Sequence, residues 1–148
     1  MKIAIGSDHG GFELKEIVKP LLEELGHEVQ DVGCYSLDSV DYPKQAKEVV
    51  SLIRAGKAER GILICGTGIG MSIAANRYPG IRATLCHEPF TAEMSRRHND
   101  SNILCMGGRV IGPGLALEMV KVWLTTPFDG GRHSRRLCQI DKAEEECS

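Results

Sequence analysis

Gly61-Ile62-Leu63-Ile64-Cys65-Gly66-Thr67-Gly68-Ile69-Gly70 is the stretch that decides the fold. Its start is continuously apolar, the pattern of a strand covered on both faces rather than one with a solvated side. A glycine loop follows, and the sequence then continues as a helix to about Tyr78. A buried strand, a glycine turn and a helix make half of a βαβ unit.

The same alternation extends in both directions. Upstream, residues 2–6 read as a strand. A helix runs from about Gly11 to Leu25, with Leu14, Val18, Leu21 and Leu25 on one face. Pro20 removes a backbone donor inside this helix and is expected to kink it, and Gly26 ends it. Residues 28–32 form a second strand closed by Gly33. A polar loop over 34–40 precedes a helix that starts at Pro43, runs to about Ala55 and stops at Gly56. Downstream, strands are expected over 81–86 and 103–106. Helices are expected over 89–98, over 115–124 with the only Trp, Trp123, and over about 132–145, ending in Glu144-Glu145-Glu146. Strict alternation with apolar strands predicts an α/β fold: a three-layer α/β/α sandwich around a doubly wound, five-stranded parallel sheet of flavodoxin or Rossmann type. One domain over 1–148 accounts for the whole chain.

Composition narrows the function. Eighteen Lys and Arg against twenty Asp and Glu give a net charge of −2, which argues against a nucleic-acid binder. No apolar run approaches the roughly 20 residues of a membrane span. The first residues read as a strand rather than a signal segment. Six cysteines, none in a Cys-x-x-Cys pair, do not make a disulfide framework, so a reduced, cytoplasmic protein is expected.

Ligands of doubly wound sheets sit beyond the carboxyl ends of the strands, where strand order reverses. For the order 2-1-3-4-5 that point lies between the first and third strands. It brings Ser7-Asp8-His9-Gly10-Gly11 opposite Cys65-Gly66-Thr67-Gly68-Ile69-Gly70. Backbone amides of the second loop, at the positive end of a helix, form a nest for a phosphate or a developing oxyanion, and the alternative is a tight turn that needs glycine for packing alone. A dinucleotide motif fails because Met71 stands where its last glycine belongs, although Glu88 is spaced for a ribose contact; a P-loop lacks its Gly-Lys-Ser/Thr. Cys65 ends its strand just before the helix N-terminus, where thiols ionise readily and serve as nucleophile or base. Cys34, Cys86, Cys105, Cys138 and Cys147 are read as small buried hydrophobes. Asp8 and His9 are candidates for sugar hydroxyls, proton transfer or phosphate, and Asp8 also suits an Asx-turn. His98 near a helix C-terminus reads, on its own, as a favourable dipole contact. Arg132 and Arg136, four apart, share a face suited to a phosphate monoester, while Arg135 reads equally as solvated. His9, His27, His87, His98 and His133 show no metal-ligand spacing, so no metal or cofactor is expected.

These residues occur within longer stretches: Gly6-Ser7-Asp8-His9-Gly10-Gly11, Asp41-Tyr42-Pro43, the run from Cys65 to Asn76, Arg97-His98-Asn99-Asp100 and Gly107-Gly108-Arg109-Val110. In that order and over nearly the whole chain, they resemble the type B ribose-5-phosphate isomerases, a family that also includes galactose-6-phosphate isomerases. The resemblance implies a metal-free aldose–ketose isomerase of the pentose phosphate pathway that takes a small sugar phosphate and works as a homodimer or dimer of dimers. It implies Cys65 as the base at C2, His98 in ring opening, and the segment carrying Gly66, Thr67, Gly68, Gly70 and Ser72 as the cradle of the enediolate. It places Asp8, His9, Asn99, Arg109, Arg132 and Arg136 on substrate and phosphate, with Tyr42 near the sugar. Members that lack this cysteine carry a glutamate where this chain has Met71, so the cysteine branch is the one implied.

Handedness adds a geometric expectation. A helix after the fourth strand runs antiparallel to it, so His98 lies at the sheet edge opposite Cys65. If both serve one reaction, His98 and Asn99, and with them Arg109, cross from a neighbouring subunit. Two other readings stand beside the pentose phosphate isomerase. One is an isomerase of a six-carbon sugar phosphate such as allose or galactose 6-phosphate, and the other is a non-catalytic phosphate- or nucleotide-binding module.

Overall fold

The computed structural model describes residues 1–143. The end of the expected last helix, with its acidic run Glu144-Glu145-Glu146, and Cys147 lie outside the described residues. Five parallel strands, β1 (Lys2–Ser7), β2 (Glu28–Asp31), β3 (Arg60–Cys65), β4 (Ala83–Leu85) and β5 (Ile103–Gly107), form one sheet. They alternate with α1 (Phe12–Glu24), α2 (Tyr42–Arg54), α3 (Ile69–Ala75), α4 (Pro89–Arg97) and α5 (Pro113–Thr125), and α6 (Arg132–Asp141) comes last.

The apolar strands divide their side chains between two cores, as period-two geometry requires. Ile3, Ile5, Ile62, Ile64, Leu104 and Met106 pack with Leu14, Val18 and Leu22 of α1, Ala92 of α4 and Met119, Val120 and Trp123 of α5. Ala4, Leu63, Cys65, Ile103 and Cys105 pack with Ala46, Val49 and Val50 of α2 and Met71 and Ala75 of α3. Each fully buried isoleucine or leucine contributes about 1.5–3 kcal/mol to folding. Leu25, expected on the buried face of α1, lies just past the helix end and is 41% exposed. The helix itself continues through Pro20 to Glu24.

Strand order differs from the expected 2-1-3-4-5. It is β2-β1-β3-β5-β4, with Leu63 paired to Cys105 and Cys105 to Leu85. The reason is burial. All five residues of β5 are buried, which suits a central position. β4 is three residues long and ends on the exposed Leu85, which suits an edge. Asn76 secures this short edge by pairing its side-chain amide with both the N–H and the carbonyl of Ala83, each at 2.8 Å. The reversal point is unaffected, because the connections still diverge between β1 and β3.

Helix ends follow local chemistry. Pro43 and Pro89 stand in the first turns of α2 and α4. Glu88 accepts hydrogen bonds from the amides of Phe90 and Thr91 at 2.7 and 2.8 Å, so the acid spaced for a ribose contact is a helix cap. α3 stops at Ala75, short of Tyr78, and α6 stops at Asp141. Among the described residues no helix is long and apolar enough to cross a membrane.

Candidate active site

Three loops meet at the carboxyl ends of β1, β3 and β5, main chain against main chain. The Asp8 amide bonds to the Ile64 carbonyl at 3.2 Å, Gly108 to Cys65 at 2.8 Å and Arg109 to Gly66 at 3.0 Å. Glycine makes this approach possible. A Cβ on Gly11 would lie 2.3 Å from the Ile64 oxygen, one on Gly108 2.6 Å from the Gly10 oxygen, and one on Gly68 2.8 Å from the Met106 carbonyl carbon. Gly68 also takes a left-handed φ of 78°, which turns its amide inward.

That amide donates to Cys65 Sγ at 3.1 Å. The thiol is 5% exposed and sits at the last position of β3, directly before α3. Around it, Asp8 Oδ1 accepts from the amides of Gly10 and Gly11 at 2.8 and 3.2 Å, the expected Asx-turn. His9 Nδ1 accepts the Val40 amide at 3.3 Å, which leaves Nε2 as the ring's donor. Thr67 Oγ1 accepts the Ile69 amide at 3.3 Å, so its hydroxyl proton is free to be given to a ligand. Ser72 is turned back to the Ile69 carbonyl at 2.8 Å. The Tyr42 ring lies over Gly70, where a Cβ would meet it at 2.6 Å.

Arg109 belongs to this rim. Its guanidinium lies beside Gly66, where a Cβ would be 3.4 Å from Nη1. The expectation that Arg109 crosses from a neighbour together with His98 is therefore corrected. β5 runs parallel to β3 with Gly107 opposite Cys65, so whatever follows β5 emerges on the Cys65 side.

The remaining predicted residues form a second cluster at the opposite edge. Gly61, at the start of β3, donates to the Asn102 carbonyl at 2.8 Å. At about 3.3 Å per residue, the turn holding His98 and Asn99 is thus about 13 Å or more from Cys65. His98 stacks on His133, with ring centroids 4.4 Å apart and planes 11° from parallel. Arg132 and Arg136 flank His133 on α6 and are exposed, as is Asn99. Burial, His98 and these two arginines push the His133 imidazole below its ordinary range.

Spacing along the chain does not reveal that His98, Asp129 and His133 bring ligand atoms within 4.8 Å of one another. Imidazole lone pairs lie in the ring plane, and two parallel stacked rings cannot both aim at one ion. The set does not fit a metal as arranged. Asp129 instead accepts from Arg97 Nε at 3.2 Å, and its amide bonds to the Arg97 carbonyl at 3.0 Å.

Two histidines are additions to the predicted set. In the sequence His133 is only part of a basic helix start, and its place between Arg132 and Arg136 is the available signal. His87 Nε2 accepts the Gly107 amide at 3.2 Å and braces the β5 turn; nothing in its surroundings in sequence marks it. Cys34, Cys86 and Cys105 are buried as expected, and burial raises the thiols of Cys86 and Cys105 above the usual range. Cys138 departs from its expectation, being only half-buried on α6.

Comparison with known proteins places this chain among sugar-phosphate isomerases of the same fold. A family model described as Ribose/Galactose Isomerase matches residues 3–140. Ribose-5-phosphate isomerase B of Escherichia coli is 48% identical over 144 residues, 97% of each chain. A solved structure of Clostridium thermocellum ribose-5-phosphate isomerase B superposes with a TM-score of 0.96 at 51% identity, covering 97% of each chain. One from Thermotoga maritima gives 0.93 at 59% identity, covering 95% of this chain and 97% of that one.

Proposed function

The chain belongs to the ribose/galactose isomerase family and is a sugar-phosphate isomerase, and from that premise we propose that it interconverts ribose 5-phosphate and ribulose 5-phosphate in a site shared by two subunits. The single observation that carries the chemistry is the Gly68 amide donating to Cys65 Sγ on a rim of closely packed glycines. A thiolate accepts such a bond better than a thiol does. The same rim offers donors to the oxygen of an enediolate.

In this reading one subunit's Cys65 removes the C2 proton of the open-chain aldose, the hydroxyl proton on O2 passes to O1 of the enediolate, and Cys65 returns its proton to C1. The Thr67 hydroxyl and the amides of Gly66 and Gly70 stabilise the enediolate oxygens, an effect worth about 3–4 kcal/mol per well-placed donor in comparable sites. Asp8, His9 and Arg109 lie on the same rim and orient the sugar and its phosphate, with Tyr42 bounding the pocket at Gly70. The second subunit supplies His98 for ring opening, Asn99 for contact with the substrate, and Arg132 and Arg136 for the phosphate. These groups are at the far sheet edge of their own chain, so a two-fold arrangement brings each set to the other's Cys65. Apolar surface on the Cys65 side is consistent with such an interface: Ile69, Ile73 and Phe90 are 50%, 62% and 66% exposed. Binding energy from the phosphate, remote from the reacting carbons, then positions C1 and C2.

Mixing tests this directly. Cys65→Ala and His98→Asn chains are each inactive on ribose 5-phosphate. Co-refolded in equal amounts, they assemble half of their dimers as hybrids with one intact site, which restores about a quarter of wild-type activity. A mixture as inactive as its parents refutes the shared site. Activity of either parent alone refutes the residue roles.

A further inference from the structure

Asp100 is the only non-glycine residue with a positive φ among the described residues, at 46°. A side chain held there is over-determined by its surroundings, and here the surroundings are two arginines. Asp100 Oδ1 accepts from Arg96 Nη1 at 2.9 Å, and Oδ2 accepts from Arg82 Nη2 at 3.3 Å. Its carbonyl accepts from Arg82 Nε at 3.3 Å, and its amide donates to the Arg96 carbonyl at 3.2 Å.

The neighbouring residues are held as firmly. The Ser101 hydroxyl sits between Ser95 Oγ at 3.0 Å and the Trp123 indole N–H at 2.7 Å, and Arg96 Nη1 donates to its carbonyl. Asn102 accepts the Arg82 amide at 2.8 Å and donates to the Gly80 carbonyl at 2.9 Å. Arg82 also reaches Asp141 at 3.2 Å, at the end of the helix that carries Arg132, His133 and Arg136. Within this turn, His98 and Asn99 alone keep their side chains out of the network.

Aspartate is an unobvious choice at this place. Glycine or asparagine takes a left-handed helix end with less strain, and a negative charge is unfavourable at the negative end of a helix. What aspartate supplies is a carboxylate that joins an arginine on α4 to one preceding β4. We propose that Asp100 is a positioning residue: clamped between Arg82 and Arg96, it sets the turn that presents His98 and Asn99 and keeps His98 stacked on His133. Its kinetic consequence rests on the ring-opening role proposed for His98; its geometric consequence does not.

The experiment uses Asp100→Gly, which relieves the backbone and removes the clamp, and Asp100→Asn, which keeps the shape and weakens it. Both are read first without substrate, by proton NMR contacts between the His98 and His133 rings. The expected result is loss of those contacts in the glycine variant and weakening in the asparagine variant. kcat on ribose 5-phosphate then falls by about 10- to 100-fold with KM little changed. Arg82→Met, which also frees α6, raises KM as well. Intact ring contacts in a folded Asp100→Gly protein overturn the proposal. Lost contacts with unchanged turnover uphold the positioning role and refute the catalytic assignment of His98 instead.

Discussion

Gly68→Ala separates the two demands that the β3–α3 turn places on one residue. The first is conformational: at φ 78° an alanine is strained by about 1–2 kcal/mol. Restricting the unfolded chain offsets about 0.4–1 kcal/mol of that. Gly56, with φ 71° and nothing within 4 Å of where a methyl would stand, isolates this contribution. Gly56→Ala should therefore destabilise by about 0–1.6 kcal/mol. The second demand is space. A methyl on Gly68 would stand 2.6 Å from Leu85 Cδ1 and 2.8 and 2.9 Å from the Met106 carbonyl carbon and oxygen. Leu85 can rotate away, but the Met106 main chain is part of the central strand β5 and cannot. Overpacking of this kind adds about 1–3 kcal/mol. Gly68→Ala should thus be about 1–3 kcal/mol less stable than Gly56→Ala in urea titrations that share one m-value. Because the strand stays put, the turn must move, and the Gly68 amide leaves Cys65 Sγ. Turnover should fall by about 100-fold while the Gly56 variant keeps wild-type activity. Equal stability of the two alanine variants would show that the rim is not packed as described.

If Arg132 and Arg136 hold the phosphate as proposed, Arg132→Ala and Arg136→Ala should each raise KM for ribose 5-phosphate by about 10-fold or more with a smaller change in kcat; unchanged KM in steady-state assays refutes that role. Asp31 supplies a pH signature. Burial pushes its carboxyl up, but hydrogen bonds from Lys15, Lys19 and the Gly33 amide outweigh this and hold it below its ordinary 3.8. The unfolded chain therefore takes up the proton first as pH falls. The stability from this group is complete above 3.8 and fades as pH drops through the lower folded value. Asp31→Asn should be less stable at neutral pH yet flatter in stability against pH below about 4, as followed by urea midpoints; a slope equal to wild type refutes this.

The layers, the alternation and the Cys65 rim were legible because they depend on local signals: apolar runs, glycine turns and helix starts. The position of β4 was not, since its length and its neighbour's burial emerge only when the sheet is assembled. Arg109 is instructive in another way. The parallel-strand reasoning that sends His98 to the far edge also returns the segment after β5 to the Cys65 edge, so its place was derivable from the same premise. The His98–His133 stack depends on the path of the segment after α5, including Gly130 and Gly131 at φ 67° and 59°, which leaves no periodic trace. Nor does Lys15 announce itself. It is wholly buried, and what makes that tolerable is that its ammonium donates both to a carboxylate 2.7 Å away on β2 and directly to the Cys34 carbonyl.

Interlocking of the three rim loops through Gly10, Gly11, Gly68 and Gly108 has a consequence for how this scaffold changes its preference among sugars. Neighbouring backbones in van der Waals contact behave as one casting, so no single loop can be lengthened or bent without dislodging the other two. Freedom to accommodate a longer or shorter substrate resides in what overhangs that casting, namely Tyr42 over Gly70 and Val40 behind His9. New specificities should accordingly arise from exchanged side chains at the perimeter, with the glycine seam left untouched.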